Sequence, residues 1–142
     1  AGPRTVTRGR PGSKLLYLSC ELDNTVRVLS YKDDALHQII AYQVSANPTN
    51  YPSEVHYFRG QVYLGLRGDD KIMIFDEKED KLDVNCSFKV KEYPRHFAIT
   101  NESNLFVACQ KGNVVQKFLI APQRIVLLGE AEILTPSVIT LL

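Results

Sequence analysis

Charged, amide and imidazole side chains occupy matching places in three separate stretches of this sequence. Glu21, Arg67 and Gln110 each follow an apolar run, and Arg4, Glu54 and Arg95 each open the segment before it. His56 and His96 lie within two residues of that second set. A carboxylate beside an imidazole can move a proton to or from water, and a guanidinium can hold an anion through paired N–H donors. Taken singly, each residue could do no more than pair one strand end with another. Charge at the same place in every unit points instead to a shared site: Arg4, Glu21, Glu54, His56, Arg67, Arg95, His96 and Gln110 around one mouth of a channel. Mixed charges at such a mouth suit a small anionic, polyhydroxylated ligand.

Other chemistries find no footing. There is no phosphate-cradling glycine loop, no His/Cys metal spacing and no nucleophile elbow, so neither a metal nor a cofactor is expected. Asp76–Asp80 is acidic throughout but lacks the Asp/Asn alternation and glycine of a calcium loop, and reads as a solvated turn. His37 reads as a surface or edge residue. The cysteines, Cys20, Cys86 and Cys109, are odd in number, form no Cys-X-X-Cys pair and suit a reducing compartment, which makes the expected location cytoplasmic.

The elements that must position these residues repeat. LYLSCELDNTVRVL, VYLGLRGDDKIMIF and LFVACQKGNVVQKF begin at residues 16, 62 and 105, a period of 43 to 46 residues. An aromatic recurs at Tyr17, Tyr63 and Phe106 and reads as packing between units. A turn former recurs at Asn24, Asp70 and Asn113, and a branched apolar residue at Val26, Ile72 and Val115. Each stretch reads as two strands about a tight turn whose Asn or Asp tolerates a left-handed backbone. A strand precedes each pair (Arg4–Arg8, Glu54–Phe58, Arg95–Thr100) and another follows it (Leu36–Val44, Leu82–Val90, Gln123–Glu132).

Four short strands per unit with no helical period define an all-β chain and, because the same columns recur, a β-propeller rather than a sandwich. The units run over residues 1–46, 47–91 and 92–134, with Thr135–Leu142 expected as a separate closing strand. Propellers close with about four to eight blades. Three blades, and an opening Ala-Gly-Pro-Arg without an initiator Met, lead us to expect the C-terminal part of a larger ring. Missing N-terminal blades or a second copy would then complete it.

Composition narrows the partners. The 142 residues carry 17 basic and 16 acidic side chains, a formal charge of +1 that creates no field to gather nucleic acid or anionic lipid. No apolar run reaches the roughly 18 to 20 residues of a membrane-spanning helix. Neither nucleic acid nor membrane is expected as a partner.

Gly2-Pro3-Arg4, Leu16-Tyr17-Leu18 and Glu21-Leu22-Asp23-Asn24-Thr25-Val26 together resemble the G-P-R-H … Y-L-Y-V-x-N-E-L-x-x-T-V pattern of the 6-phosphogluconolactonase-type lactonases, to which carboxymuconate cyclase is related. Ser53-Glu54-Val55-His56, Arg67, Pro94-Arg95-His96-Phe97, Ala108-Cys109-Gln110-Lys111 and Thr135-Pro136-Ser137-Val138 resemble further elements of that family, in order along the whole chain. Two departures stand out: Thr5 replaces the His after Gly-Pro-Arg, and Cys20 and Cys109 stand where Asn is frequent. Bacterial YVTN-type repeat propellers, which are binding modules, share the strand pattern but not the Glu54 and Pro94-Arg95-His96 variations.

The resemblance implies a seven-bladed ring and cofactor-free hydrolysis of an anionic sugar lactone. Glu21 or Glu54 would activate water, His56 or His96 would relay the proton, and Arg4, Arg67, Arg95 and Gln110 would hold the substrate. The alternatives are a non-catalytic propeller that binds a ligand or protein, and a fragment without activity of its own.

Overall fold

The structure is a computed structural model that describes residues 1–142, and it is all-β. Twelve strands follow in chain order: β1 (Pro3–Arg8), β2 (Leu15–Cys20), β3 (Thr25–Lys32), β4 (Ala35–Gln43), β5 (Pro52–Phe58), β6 (Gln61–Leu66), β7 (Lys71–Lys78), β8 (Lys81–Lys89), β9 (Pro94–Ile99), β10 (Asn104–Cys109), β11 (Val114–Ala121) and β12 (Arg124–Glu132). They form three separate antiparallel meanders, β1-β2-β3-β4, β5-β6-β7-β8 and β9-β10-β11-β12. We call these blades 1, 2 and 3. Asn24, Asp70 and Asn113 take positive φ (58°, 52° and 50°) in the turns after the second strands. Asp33-Asp34 and Arg59-Gly60 are left-handed at both positions, the conformation that a two-residue hairpin turn requires. The fourth strands start at Ala35, Lys81 and Arg124, one residue earlier than, or one later than, the apolar pattern suggests.

One device recurs at the start of every blade. A residue with positive φ precedes a proline: Gly2 before Pro3, Tyr51 before Pro52, Tyr93 before Pro94. Directly afterwards the innermost strand slips by one residue against its neighbour, leaving Arg4, Ser53 and Arg95 as the extra residues. Such bulges re-aim the side chains beside them. The register corrects one sequence expectation. Glu54 does not share a column with Arg4 and Arg95; Ser53 does, and Glu54 matches Thr5 and His96. Apolar alternation starts the strands at Arg4, Glu54 and Arg95, whereas each first strand is set by its proline, and counting from Pro3, Pro52 and Pro94 puts Ser53 in that column.

The core lies between blades, not within them. Tyr17, Val26 and Val28 of blade 1 pack with Val55, Leu64, Leu66 and Phe75 of blade 2. Tyr63, Ile72 and Ile74 from the other face of blade 2 pack with Phe97, Leu105, Val107 and Phe118 of blade 3. Tyr17 and Tyr63 of the aromatic column thus act as blade packing and are fully buried, whereas Phe106 lies outside both cores, beneath Lys117. Tyr17 also donates its hydroxyl to Glu77 across the blade 1–2 boundary. Glu77 and Asp76 are therefore strand residues of β7 with bonded carboxylates, and only Glu79-Asp80 forms the solvated turn expected over the whole acidic run.

Thr135–Leu142 was expected as a strand and forms no ladder with any other segment. It does not fold back on β12 but crosses to β9, where the Ile139 amide meets His96. Thr135, with φ 46°, precedes Pro136 as Tyr51 and Tyr93 precede Pro52 and Pro94. The segment thus takes the place, beside blade 3, that β5 takes beside blade 1. With no second strand on its outer side, its backbone has no partner with which to complete a ladder.

Blade spacing is set tightly at Gly65. A Cβ built there would stand 2.2 Å from Ser53 Oγ, which is buried and donates to the Pro94 carbonyl at 2.8 Å. Gly65→Ala is expected to lower the unfolding free energy by about 1–3 kcal/mol through overpacking. Combining it with Ser53→Ala, which vacates the space, should cost less than the sum of the two single changes. Urea unfolding of the four forms measures this coupling; strict additivity would mean that the two residues do not share the contact.

Candidate functional site

The starts of β1, β5 and β9 and the ends of β2, β6 and β10 meet at one end of the blade stack, and the eight expected residues divide there into linked groups. Glu21 accepts from Arg4 Nη1 at 3.4 Å and, through the same Oε2, from Arg67 Nη2. Arg67 is 6% exposed, donates Nε to the Tyr51 carbonyl at 2.7 Å, and stacks against the Tyr51 and Tyr93 rings at 5.7 and 5.6 Å. Lys111 lies over Tyr93 as well, at 4.3 Å. In blade 3 the equivalent of the Arg4–Glu21 pair is Arg95–Gln110, a hydrogen bond of 3.2 Å.

The second group crosses from blade 2 to blade 3. His96 Nε2 and Glu54 Oε2 are 3.2 Å apart, and both side chains are largely buried. Burial raises the pKa of Glu54 above the usual carboxylate value, opposed by the charge of Arg4 and by a backbone hydrogen bond from Val55. Burial lowers the pKa of His96, and the charges of Arg4 and His56 lower it further. His56, two residues from Glu54 and so on the same face of β5, also has its pKa lowered by burial. Burial thus favours the neutral form of each of these three groups, and the Glu54–His96 contact is a hydrogen bond before it is an ion pair.

These arrangements differ chemically. Glu21 is engaged by two guanidinium groups and Arg67 by a carboxylate, a carbonyl and two rings, so both are held in place by structure. Arg4 makes one long hydrogen bond and leaves its buried Nε unpartnered, and Arg95 makes one bond to a neutral amide. Those two cations retain donors for an anion. Thr5, where the resemblance leads one to look for an imidazole, donates its hydroxyl to the Ser53 carbonyl at 3.0 Å and so joins blades 1 and 2. No group of three or more His, Cys, Asp or Glu side chains is arranged to hold a metal ion. No helix is long and apolar enough to cross a membrane.

Sequence reasoning missed Tyr51, Tyr93 and Lys111. The repeated Tyr-Pro at 51–52 and 93–94 was the available signal, since it marks the left-handed step that turns each ring toward Arg67. Two clefts of about 470 and 520 Å3 open at the opposite end of the stack between blades 2 and 3. Asp76, which lines the larger of them, accepts from Gln61 and Asn85 and has no imidazole beside it. They hold no comparable proton-transfer pair.

The lactonase family model, a seven-bladed β-propeller, matches residues 1–136. The chain belongs to the lactonase family. Solved structures support the lactonase fold. A candidate 6-phosphogluconolactonase from Bacteroides uniformis superposes with a TM-score of 0.86 at 25% identity, over 96% of this chain and 42% of its own. A second, from Bacteroides fragilis, gives 0.85 at 24% identity, over 94% and 40%. A protein from Lactobacillus plantarum gives 0.81 at 19%, over 95% and 42%. This lactonase-family chain therefore spans about two fifths of the length of those structures. No curated protein matches it.

The two half-buried histidines make stability depend on pH. Their folded pKa values lie below the ordinary 6.5, so near pH 6 the unfolded chain binds more protons. Their contribution is complete above about pH 6.5 and is lost as pH falls through the folded values. Glu54 acts oppositely: its raised pKa stabilises below its ordinary 4.5 and loses that effect as pH rises through the folded value. The urea midpoint should fall between about pH 7 and pH 5, and His56→Gln with His96→Gln should flatten that fall. Equal slopes in parent and double variant would place both imidazoles in solvent.

Proposed function

We propose that this chain contributes part of the active site of a lactone hydrolase whose substrate is an anionic sugar-derived lactone. The observation that carries the reading is the half-buried Glu54–His96 hydrogen bond beside two cations with free donors, Arg4 and Arg95. Burial raises the pKa of Glu54, which makes its carboxylate a stronger base toward water once ionised. Glu54 takes a proton from water as the water oxygen bonds to the lactone carbonyl carbon. Arg4 or Arg95 donates to the oxyanion that forms, and the other holds the substrate's own anion. When the ring C–O bond breaks, the departing oxygen recovers the proton from Glu54, and a hydroxy acid leaves.

The roles of the remaining residues follow from their bonding. Glu21 and Arg67 fix Arg4, His96 orients Glu54, and Gln110 steadies Arg95. The family match and the two Bacteroides proteins favour a lactone, and a phosphorylated one is the natural test. One observation favours a second reading, a non-catalytic binding propeller. Thr5 occupies the His96 position of blade 1 and is used for blade packing, so blade 1 contributes no imidazole there.

Four variants separate the readings. Arg95→Ala and Arg4→Ala should weaken capture of a phosphorylated sugar lactone by about ten- to a hundredfold, the worth of a charged hydrogen bond of about 1.5 to 3 kcal/mol. Glu54→Gln should lower kcat while leaving KM nearly unchanged, since it keeps the shape and removes the base. Glu79→Ala, in the solvated turn, should behave like the parent. Binding of the lactone with no turnover in the parent would favour the binding module, and indifference of all four variants would move the site elsewhere.

A further inference from the structure

We infer that the backbone N–H of Ile139 is a positioning group for the Glu54–His96 pair, holding His96 in the tautomer with its proton on Nε2. The Ile139 amide nitrogen lies 3.3 Å from His96 Nδ1. An amide N–H can only donate, so Nδ1 must present its lone pair. The proton of the neutral ring then sits on Nε2, which faces Glu54 Oε2 at 3.2 Å. The imidazole is thereby fixed as a donor to the carboxylate, and the carboxylate keeps a second oxygen for water. The alternative tautomer would set one N–H against another at Ile139 and leave Glu54 facing a lone pair.

The same contact is used structurally one interface away. Thr5 occupies the place of His96 in blade 1, and its Oγ1 accepts from the N–H of Val55 at 3.2 Å. Val55 stands three residues after the left-handed residue and proline of blade 2 as Ile139 stands after Thr135-Pro136. The blade-packing hydrogen bond is therefore retained in blade 3 with a titratable acceptor in place of a hydroxyl. Its donor strand is also anchored. The Thr135 amide donates to Asn113 Oδ1 at 2.9 Å, as the Tyr93 amide donates to Asp70 Oδ1 at 2.8 Å.

The charged and titratable groups facing His96 are Glu54 and His56 of β5 and Arg4 of β1. Arg4, His56 and burial all favour the neutral ring, which leaves one of its two nitrogens as an acceptor. The C-terminal segment, read as a closing strand for its packing, thus becomes part of the site through one backbone group. The significance of the tautomer rests on the hydrolase reading above; the tautomer itself does not.

Long-range proton–nitrogen NMR of the 15N-labelled chain, at a pH where the imidazoles are neutral, reads each ring directly. His96 is expected to show a hydrogen-bonded, unprotonated Nδ1 and a protonated Nε2. Ile139→Pro removes the donor and should shift the Nδ1 resonance to that of a free acceptor and admit the Nδ1–H form, while Ile139→Ala keeps the amide and the parental spectrum. The His37 and His56 resonances report whether each variant retains the fold, and a chain ending at Leu134 should reproduce the Ile139→Pro spectrum of His96. A protonated Nδ1 in the parent, or identical His96 spectra in all forms, would overturn the inference. In a lactone assay, Ile139→Pro should lose about tenfold or more in turnover, the scale of losing a hydrogen bond that orients a working imidazole, with Ile139→Ala unaffected. A parent without turnover would overturn the hydrolase reading, and the spectra would still decide the tautomer.

Discussion

Each blade is too thin to enclose a core, and everything else in this molecule follows from that. A four-stranded meander has two faces and no interior, so its apolar side chains leave water only when another blade covers them. Val26, Val28, Leu64 and Phe75 are buried against one another across the blade 1–2 boundary, and Ile72, Phe97, Leu105 and Phe118 across the next. Stacking sheets in this way repeats one geometric relation, and any residue fixed by that relation recurs at the same end of the stack. The left-handed residue, the proline and the bulge at each blade start are such residues. The polar cluster at that end is the by-product of a packing rule.

Packing also decides which charges are held and which retain donors. Arg67 stacks on the rings of Tyr51 and Tyr93, and its guanidinium donates to the Tyr51 carbonyl and to Glu21. Its planar fork suits that role; a lysine could not stack and donate in two directions at once. Glu21 in turn receives Arg4 from its own blade. A charge chain thus runs across the first boundary, and the Glu54–His96 contact crosses the second.

Much of this was legible in the residues. The period, the strand pairs and the turn formers Asn24, Asp70 and Asn113 could be read because each leaves a local mark: alternation, an apolar run, a residue that accepts positive φ. The recurrence of Glu21, Arg67 and Gln110 was legible for the same reason. What could not be read was register. Glu54 belongs to the column of His96 and not to that of Arg4 and Arg95, because each first strand is set by its proline, a mark that apolar alternation does not carry. Nor does any pattern in Thr135–Leu142 announce that the amide of Ile139 meets an imidazole some forty residues away, because a backbone donor has no letter of its own. The paired Tyr51 and Tyr93 were visible and unread, since an aromatic before a proline looks like a loop until its cation is known.

Blade 2 packs one core against blade 1 and another against blade 3. In stacked architectures stability is close to a sum of unit and nearest-neighbour interface contributions, so each boundary can open by itself. The polar cluster draws side chains from all three units, and its geometry exists only while both boundaries are closed. Loss of either boundary would dismantle the cluster while leaving the middle sheet folded, so the cluster's geometry would fail at a lower denaturant concentration than the bulk of the secondary structure.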